Sequence, residues 1–96
     1  MGIDELLKGR RDEILRIAEK HGARNLRVFG SFARGEAGPA SDVDLLYERG
    51  AHRTQFFPGG LVRDLEVLLG RRVQAVSVRA LHPLIRDRVL SEAVPV

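Results

Sequence analysis

Two short apolar runs on either side of a glycine-rich segment constrain this chain more than any other feature of its sequence. The first run, residues 26–29, stops at Gly30, and the second, residues 42–47, alternates polar and apolar side chains. Both runs have the length and residue types of β-strands. Residues 34–41 between them contain two glycines and a proline, which are typical of a loop after one helical turn. The sequence therefore predicts a strand, a turn, a loop and a second strand in direct succession.

The turn after the first strand has the features of a phosphate site. Gly30 lies where the strand stops, and the residues that follow predict a helical turn with Ser31 at a helix N-terminus. Unpaired backbone N–H groups and the positive end of the helix dipole attract phosphate, and glycine lets the backbone approach it closely. A Gly-Ser pair that serves only as a helix cap is the alternative.

Two aspartates open the second strand. Asp42 and Asp44 are two residues apart, so on a strand they share a face, about 6 to 7 Å from each other, while Val43 and Leu45 face the core. Two hard carboxylate ligands beside a phosphate site are suited to Mg²⁺-assisted attack on a nucleotide phosphate. The alternative is a turn at Ser41 and Asp42 that merely opens the strand and leaves Asp44 exposed.

Together these residues resemble a family signature. Gly30-Ser31, ten further residues and then Asp42-Val43-Asp44 are similar to the signature of the DNA polymerase beta nucleotidyltransferase superfamily. The fuller pattern, Gly-Ser-x-Ala-Arg-Gly followed by Ser-Asp-x-Asp-Leu, resembles its minimal nucleotidyltransferase branch. The resemblance implies that Gly30 and Ser31 hold the phosphates of ATP. It also implies that Asp42 and Asp44 bind Mg²⁺ or Mn²⁺ and carry the catalysis.

Arg34 and Ser41 belong to the same pattern, and we expect both at the nucleotide. Arg34 follows Ser31 by one helical turn and could reach a phosphate. It could equally pair with Glu36 or Asp42, because guanidinium groups fit carboxylates and phosphates alike.

The chain departs from the family pattern at the third carboxylate. The superfamily normally supplies this group from the strand after the central helix, where residues 73–77 here read Val-Gln-Ala-Val-Ser and Gln74 takes its place. Glutamine offers a metal a carbonyl oxygen but no charge. In the family the third carboxylate serves the metal that activates the attacking hydroxyl, so we expect its loss to affect transfer more than nucleotide binding. Asp64 and Glu66 lie on the intervening helix and are not convincing replacements.

The order of elements predicts a single domain over residues 1–96. We expect an α/β (α+β) polymerase-beta-like nucleotidyltransferase fold, α-β-α-β-α-β-α, with a three-stranded mixed sheet. Asp4 is predicted to cap a first helix that ends at Gly22, although Gly9 weakens its middle by about 1 kcal/mol.

The C-terminal half follows the same reasoning. A helical stripe from Leu61 to Leu69 stops at Gly70, and residues 72–78 alternate as a third strand. A final helix has Pro83 in its first turn. Its predicted inner face consists of Leu81, Leu84, Ile85 and Val89.

Composition narrows the function classes. Sixteen Lys and Arg against thirteen Asp and Glu give a net charge of +3, but these basic residues are scattered along the sequence, and four Phe and one Tyr offer no obvious stacking platform. Nucleic-acid binding is therefore the weaker alternative. The absence of cysteine excludes disulfides and thiolate metal sites. No apolar run has the length of a signal peptide or a membrane span, so we expect a soluble, cytoplasmic protein.

One domain of this size leaves nothing to hold a large substrate, which suggests a partner chain. By resemblance, minimal members often act as antitoxins paired with a small helical HEPN-type protein whose tyrosine they adenylylate. The rival hypothesis is a non-catalytic module that binds nucleotide or toxin and lost turnover with the third carboxylate. Phe56 and Phe57 either plug the core or, if exposed, contact a partner.

The three histidines carry no metal hypothesis. Their positions, His21, His52 and His82, have no metal-ligand spacing, and we expect them at the surface.

Overall fold

The computed structural model describes all residues from 1 to 96 and contains four helices and four strands. The elements are α1 (Ile3–Leu7), α2 (Arg11–His21), β1 (Ala23–Phe29), β2 (Val43–Arg49), α3 (Gly59–Leu69), β3 (Val73–Ser77), α4 (Pro83–Glu92) and β4 (Val94–Pro95), with a 3-10 turn at Val78–Ala80.

The strands form one mixed sheet in the order β3-β2-β1-β4. β2 runs antiparallel to β1 and parallel to β3, and β4 pairs antiparallel with the outer edge of β1. The mixed sheet is as predicted, but the prediction of three strands was wrong. The fourth strand has only two residues, one of them Pro95, so it leaves no alternation in the sequence, and proline is tolerated there because the strand is at the edge.

The two faces of the sheet are covered unequally. Val43, Leu45 and Tyr47 alternate along β2 into a core of 17 buried residues beneath α1, α2 and α3. Leu46 faces the other way, into a cluster of three buried residues beneath α4. Asp44 has the same parity as Leu46, so it lies on the face that α4 covers.

The single N-terminal helix that we predicted is two helices. α1 ends at Leu7 and α2 begins at Arg11, because Gly9 between them has φ of 71°, a left-handed conformation that a continuous helix cannot include. Asp4 is not the cap, since the helix begins after Gly2, whose N–H donates to the Glu5 carboxylate at 2.8 Å. The predicted stops at Gly22 and Gly70 are both left-handed caps.

α4 begins with Pro83 as predicted, but its buried face is narrower than predicted. Leu81 and Val89 are buried, whereas Leu84 is 88% exposed and Ile85 44% exposed. No helix of this fold has the length and apolar character that a membrane span requires.

Phe56 and Phe57 have different positions, one exposed and one packed in the core. Phe57 packs edge-on against Tyr47 with ring centroids 5.2 Å apart, so it plugs the core. Phe56 is 85% exposed.

His21 is buried, so its predicted surface position was wrong. Its Nε2 donates to Asp64 Oδ2 at 2.7 Å, and its Nδ1 lies 2.6 Å from Thr54 Oγ1. Lys20 Nζ lies 3.5 Å from the same Asp64 oxygen. This network ties the end of α2 to α3 and to the loop before it, so Asp64 is engaged in holding the fold.

We predict that Asp64→Asn lowers the Tm near neutral pH. The hydrogen bond from His21 lowers the pKa of the Asp64 carboxyl. A lowered pKa contributes stability that is present above the ordinary value of about 4 and is lost as the pH falls through the folded value. The Tm difference between the two proteins should therefore shrink below about pH 4, as thermal unfolding by circular dichroism would measure. A constant difference at all pH values would contradict the assignment, and Asp87→Asn, at an exposed carboxylate without an ion pair, is the matched control.

Candidate functional site

Gly30 forms the junction between β1 and the turn that follows, and a side chain at its position would be strained and would displace the Asp44 carboxylate. Its φ is 76°, and a Cβ atom would lie 2.2 Å from Asp44 Oδ2. Phe29, the residue before it, is paired with Asp44 across the β1–β2 ladder. The pairing register thus brings the backbone of the turn directly against a carboxylate.

Residues 30–35 form the single turn that we predicted, but the turn does not continue as a regular helix, so Ser31 does not begin a helix with a full dipole. Arg34 N donates to Gly30 O at 3.2 Å and Glu36 N to Ser31 O at 2.9 Å, after which the chain continues as a loop. The N–H groups of Ser31, Phe32 and Ala33 have no acceptor within the protein. Consecutive unpaired N–H groups of this kind attract anions even without a long helix dipole.

The turn is anchored in the main core by Phe32 and is contacted by Arg71. Phe32 belongs to the main core and is 1% exposed, and the Arg71 guanidinium lies 5.1 Å from its ring centroid. Arg71 also donates to Gly38 O at 3.0 Å and to Ser41 O at 3.2 Å. Ser41 Oγ accepts a hydrogen bond from Gly38 N at 2.8 Å, so this hydroxyl closes the loop before β2. Its role in nucleotide binding stays a prediction.

Asp42 and Asp44 lie at the beginning of β2 beside this turn. Burial, followed by the charge of Asp42, raises the pKa of the Asp44 carboxyl. Two like charges at one partly desolvated strand end are unfavourable until a cation joins them.

Gln74 lies directly beside these aspartates. It pairs with Asp44 in the parallel β2–β3 ladder, and its Nε2 donates to Asp42 Oδ2 at 3.3 Å. Arg72 Nε lies 4.0 Å from the other oxygen of Asp42. Glu66 accepts a hydrogen bond from Val73 N at 3.0 Å, so neither it nor Asp64 serves the site. No group of three or more metal-binding side chains forms anywhere in the chain.

Glu92 is the site residue that the sequence analysis missed. Its Oε2 accepts from Gly30 N at 2.8 Å and its Oε1 from Arg34 at 2.8 Å. The hydrogen bond from Arg34, and after it the one from Gly30 N–H, lower the pKa of the Glu92 carboxyl, although the loss of water around the carboxyl opposes this shift. The one sequence signal is weak: an acidic residue at a helix C-terminus opposes the helix dipole, which suggests a partner elsewhere.

Arg34 pairs with Glu92 and with Glu36, at 2.8 and 2.9 Å, and not with Asp42. The guanidinium thus pairs with two carboxylates at the edge of the turn, and its role at the nucleotide stays a prediction. An anion that displaced the Glu92 carboxylate would contact the same guanidinium.

The carboxylates of the candidate site fit a magnesium ion that is also bound by the phosphates of a nucleotide. Mg²⁺ is commonly held by one or two carboxylates together with substrate phosphates. Asp42 and Asp44 supply the carboxylates, and burial together with the charge of Asp42 raises the pKa of the Asp44 carboxyl, which a bound cation would reverse.

Comparison with known proteins gives one family. A family model described as a nucleotidyltransferase domain matches residues 11–96. A chain of Methanocaldococcus jannaschii that is named as a protein adenylyltransferase is 38% identical over 96 residues, which are 100% of this chain and 99% of that one.

Solved structures show the same fold. A structure described as a minimal nucleotidyltransferase superposes with a TM-score of 0.84 at 47% identity, and the match covers 100% of this chain and 97% of the other. A toxin–antitoxin crystal structure with AMP-PNP gives a TM-score of 0.73 at 17% identity, over 90% of this chain and 71% of that one. At that identity the second likeness establishes the fold alone.

We predict that Asp44→Asn raises the Tm of the protein without ligands at about pH 7 by a few degrees, roughly 2–5 °C. A carboxyl with a raised pKa stabilises the fold below its ordinary pKa, and this contribution is lost as the pH rises through the folded value. The ionised group is thus unfavourable near neutrality, and an amide of the same shape removes that penalty. Differential scanning fluorimetry measures the change, with Asp87→Asn as the charge-matched control. A lower Tm would mean that the charge of Asp44 is already compensated in the fold.

Proposed function

The chain belongs to the nucleotidyltransferase domain family, and from this premise we propose that it transfers AMP from Mg²⁺-bound ATP to a hydroxyl group of another protein. The oxygen of the acceptor would attack the α-phosphorus of ATP. The bond to pyrophosphate breaks, and the hydroxyl proton leaves to a base or to water.

One observation carries the nucleotide part of this proposal: the turn already binds an anion. Gly30 N and Arg34 hold the Glu92 carboxylate at hydrogen-bond distances of 2.8 Å. A carboxylate and a phosphate present similar oxygens to such donors. A phosphate group of the nucleotide would take the place of Glu92 and gain the unpaired N–H groups of Ser31 and its neighbours.

Asp42 and Asp44 would hold the magnesium ion beside this phosphate. A bound Mg²⁺ polarises the phosphoryl oxygens and neutralises the charge that develops during attack. The two aspartates position it, and Gly30 allows the turn and the Asp44 carboxylate to share one side of the substrate.

Gln74 limits what the chain does to the attacking hydroxyl. With the amide of Gln74 beside Asp42, β3 supplies no carboxylate to activate the acceptor. We infer that nucleotide binding is intact and that transfer is slow unless the acceptor protein completes the site. The same observation supports a second candidate, a module that binds nucleotide and partner without turnover.

The acceptor that we propose is a tyrosine of a HEPN-type partner toxin, with this chain as the antitoxin. Support comes from the related protein adenylyltransferase and from the fold shared with a chain of a toxin–antitoxin structure. The chain itself, with one layer of helices on each sheet face, has no element that would enclose a protein acceptor.

We predict that Glu92→Gln strengthens binding of Mg²⁺-bound ATP about tenfold. The substitution removes a negative charge from the phosphate position and weakens a charge-assisted contact that the nucleotide must displace, and about 1.4 kcal/mol corresponds to a factor of ten. Isothermal titration calorimetry measures the Kd.

Glu36→Gln is the matched control for this variant. Glu36 also pairs with Arg34, but it does not contact Gly30, so its loss should change the affinity little. Weaker binding in Glu92→Gln than in the parent protein would contradict the proposal and make Glu92 a group that supports the nucleotide.

We predict that Gln74→Asp speeds transfer by about tenfold or more, which is a modest general-base or metal effect. The measurement is the labelling of the partner protein by α-labelled ATP in single-turnover conditions. ATP affinity should change little, so the gain appears in the rate of transfer.

Asp42→Asn/Asp44→Asn in the same assay reports the background. Fast labelling by the parent protein with no gain in Gln74→Asp would show that another group activates the hydroxyl. Binding of ATP without any labelling in either protein would favour the module without turnover.

A further inference from the structure

Four arginines that are scattered in sequence converge at the end of the sheet opposite to the aspartates. Arg49 ends β2, Arg53 lies in the loop after it, Arg79 lies in the 3-10 turn after β3, and Arg86 is on α4. Together they line a depression of about 560 Å³, here called the arginine depression. At about 3.3 Å per residue, the seven steps from Asp42 to Arg49 place it about 23 Å from the proposed transfer site.

None of these four guanidinium groups has a carboxylate partner. Every ion pair of the fold involves other residues. Arg53 and Arg86 donate to the carbonyls of Gly50 and Val78, at 3.2 and 3.0 Å, which fixes their positions without neutralising them.

The one carboxylate in the depression is engaged elsewhere. Glu48 accepts from Asn25 at 2.5 Å and lies 3.8 Å from Arg27. Four positive charges around one depression therefore remain uncompensated, which creates a positive potential that attracts an anionic ligand.

A second depression continues from the first and adds an aromatic ring. It shares Arg49 and Arg53 and is also lined by His52 and Phe56. Phe56 is 85% exposed and has φ of 59°, which is uncommon for a large side chain. The fold thus presents a bare ring next to guanidinium groups.

We propose that this surface binds single-stranded nucleic acid, with phosphates on Arg49, Arg53, Arg79 and Arg86 and a base stacked on Phe56. A basic groove beside an exposed aromatic ring is the usual arrangement for such ligands. The sequence alone argued against this function because its arginines are scattered; the fold gathers four of them.

The lining of the arginine depression favours nucleic acid over an acidic protein. Val78 is the one apolar residue among the seven that line it. Protein interfaces have an apolar centre from which charged residues are depleted, whereas nucleic-acid interfaces are polar and strongly positive. The proposal does not depend on the transfer activity, because the two sites lie at opposite ends of β2.

The test measures binding of fluorescent U12 and dT12 oligonucleotides by anisotropy across a salt titration. Four phosphate contacts predict a slope of about −3 for log K against log salt, which is an affinity loss of about fiftyfold between about 50 and 200 mM. Arg49→Ala/Arg79→Ala should reduce the slope to about −1.4. Phe56→Ala should weaken binding about tenfold, the size of one stacking contact.

Arg16→Ala/Arg63→Ala is the matched control, since it removes the same charge from exposed positions on α2 and α3. This control should retain the parent slope. An equal effect of both double variants would overturn the proposal, and so would poly-L-glutamate that competes as well as an oligonucleotide. Asp42→Asn/Asp44→Asn should bind the oligonucleotides like the parent protein; loss of binding there would assign the signal to the transfer site.

Discussion

The close approach of Gly30 to the Asp44 carboxylate is the constraint on which the candidate site depends. The β1–β2 register pairs Phe29 with Asp44, so the chain turns at residue 30 directly against the Asp44 carboxylate. A Cβ atom at residue 30 would lie 2.2 Å from Asp44 Oδ2. The same close approach removes water from Asp44 and brings the turn, with its unpaired N–H groups, next to this carboxylate. A single strand pairing therefore places the carboxylate that we propose as a metal ligand beside the turn that we propose as the phosphate site.

Charge balance then connects the site to α4. Asp42 and Asp44 crowd negative charge at the start of β2, and Glu92 brings a third carboxylate to the neighbouring turn, where Gly30 N and Arg34 satisfy it. In our account Glu92 occupies the position that a nucleotide phosphate would take. The Gly30 N–H and the Arg34 guanidinium are thus preorganised and already hydrogen-bonded, so a ligand must compete with the Glu92 carboxylate for them. On the β3 side of the aspartates, Gln74 contributes an uncharged amide where a third carboxylate was expected.

The sequence predicted the features of the fold that depend on neighbouring residues. The left-handed caps at Gly22 and Gly70, Pro83 at the start of α4 and the strand that contains Asp44 all depend on a few neighbouring residues. Contacts between distant segments were not predictable in this way. Glu92 reaches Gly30 across 62 residues, and β4 exists only because β1 offers it an edge. The burial of His21 could not be predicted either, because its two partners lie 33 and 43 residues away in the sequence.

The most direct measurement for this account is a crystal structure of the protein with Mg²⁺ and a non-hydrolysable ATP analogue. We expect a phosphate oxygen within about 3.2 Å of Gly30 N, in the distance range of a hydrogen bond, with the Glu92 carboxylate turned away from it. The metal should lie between that phosphate, Asp42 and Asp44. An analogue bound elsewhere, while Glu92 still accepts the Gly30 hydrogen bond, would contradict the claim that this turn is the phosphate site.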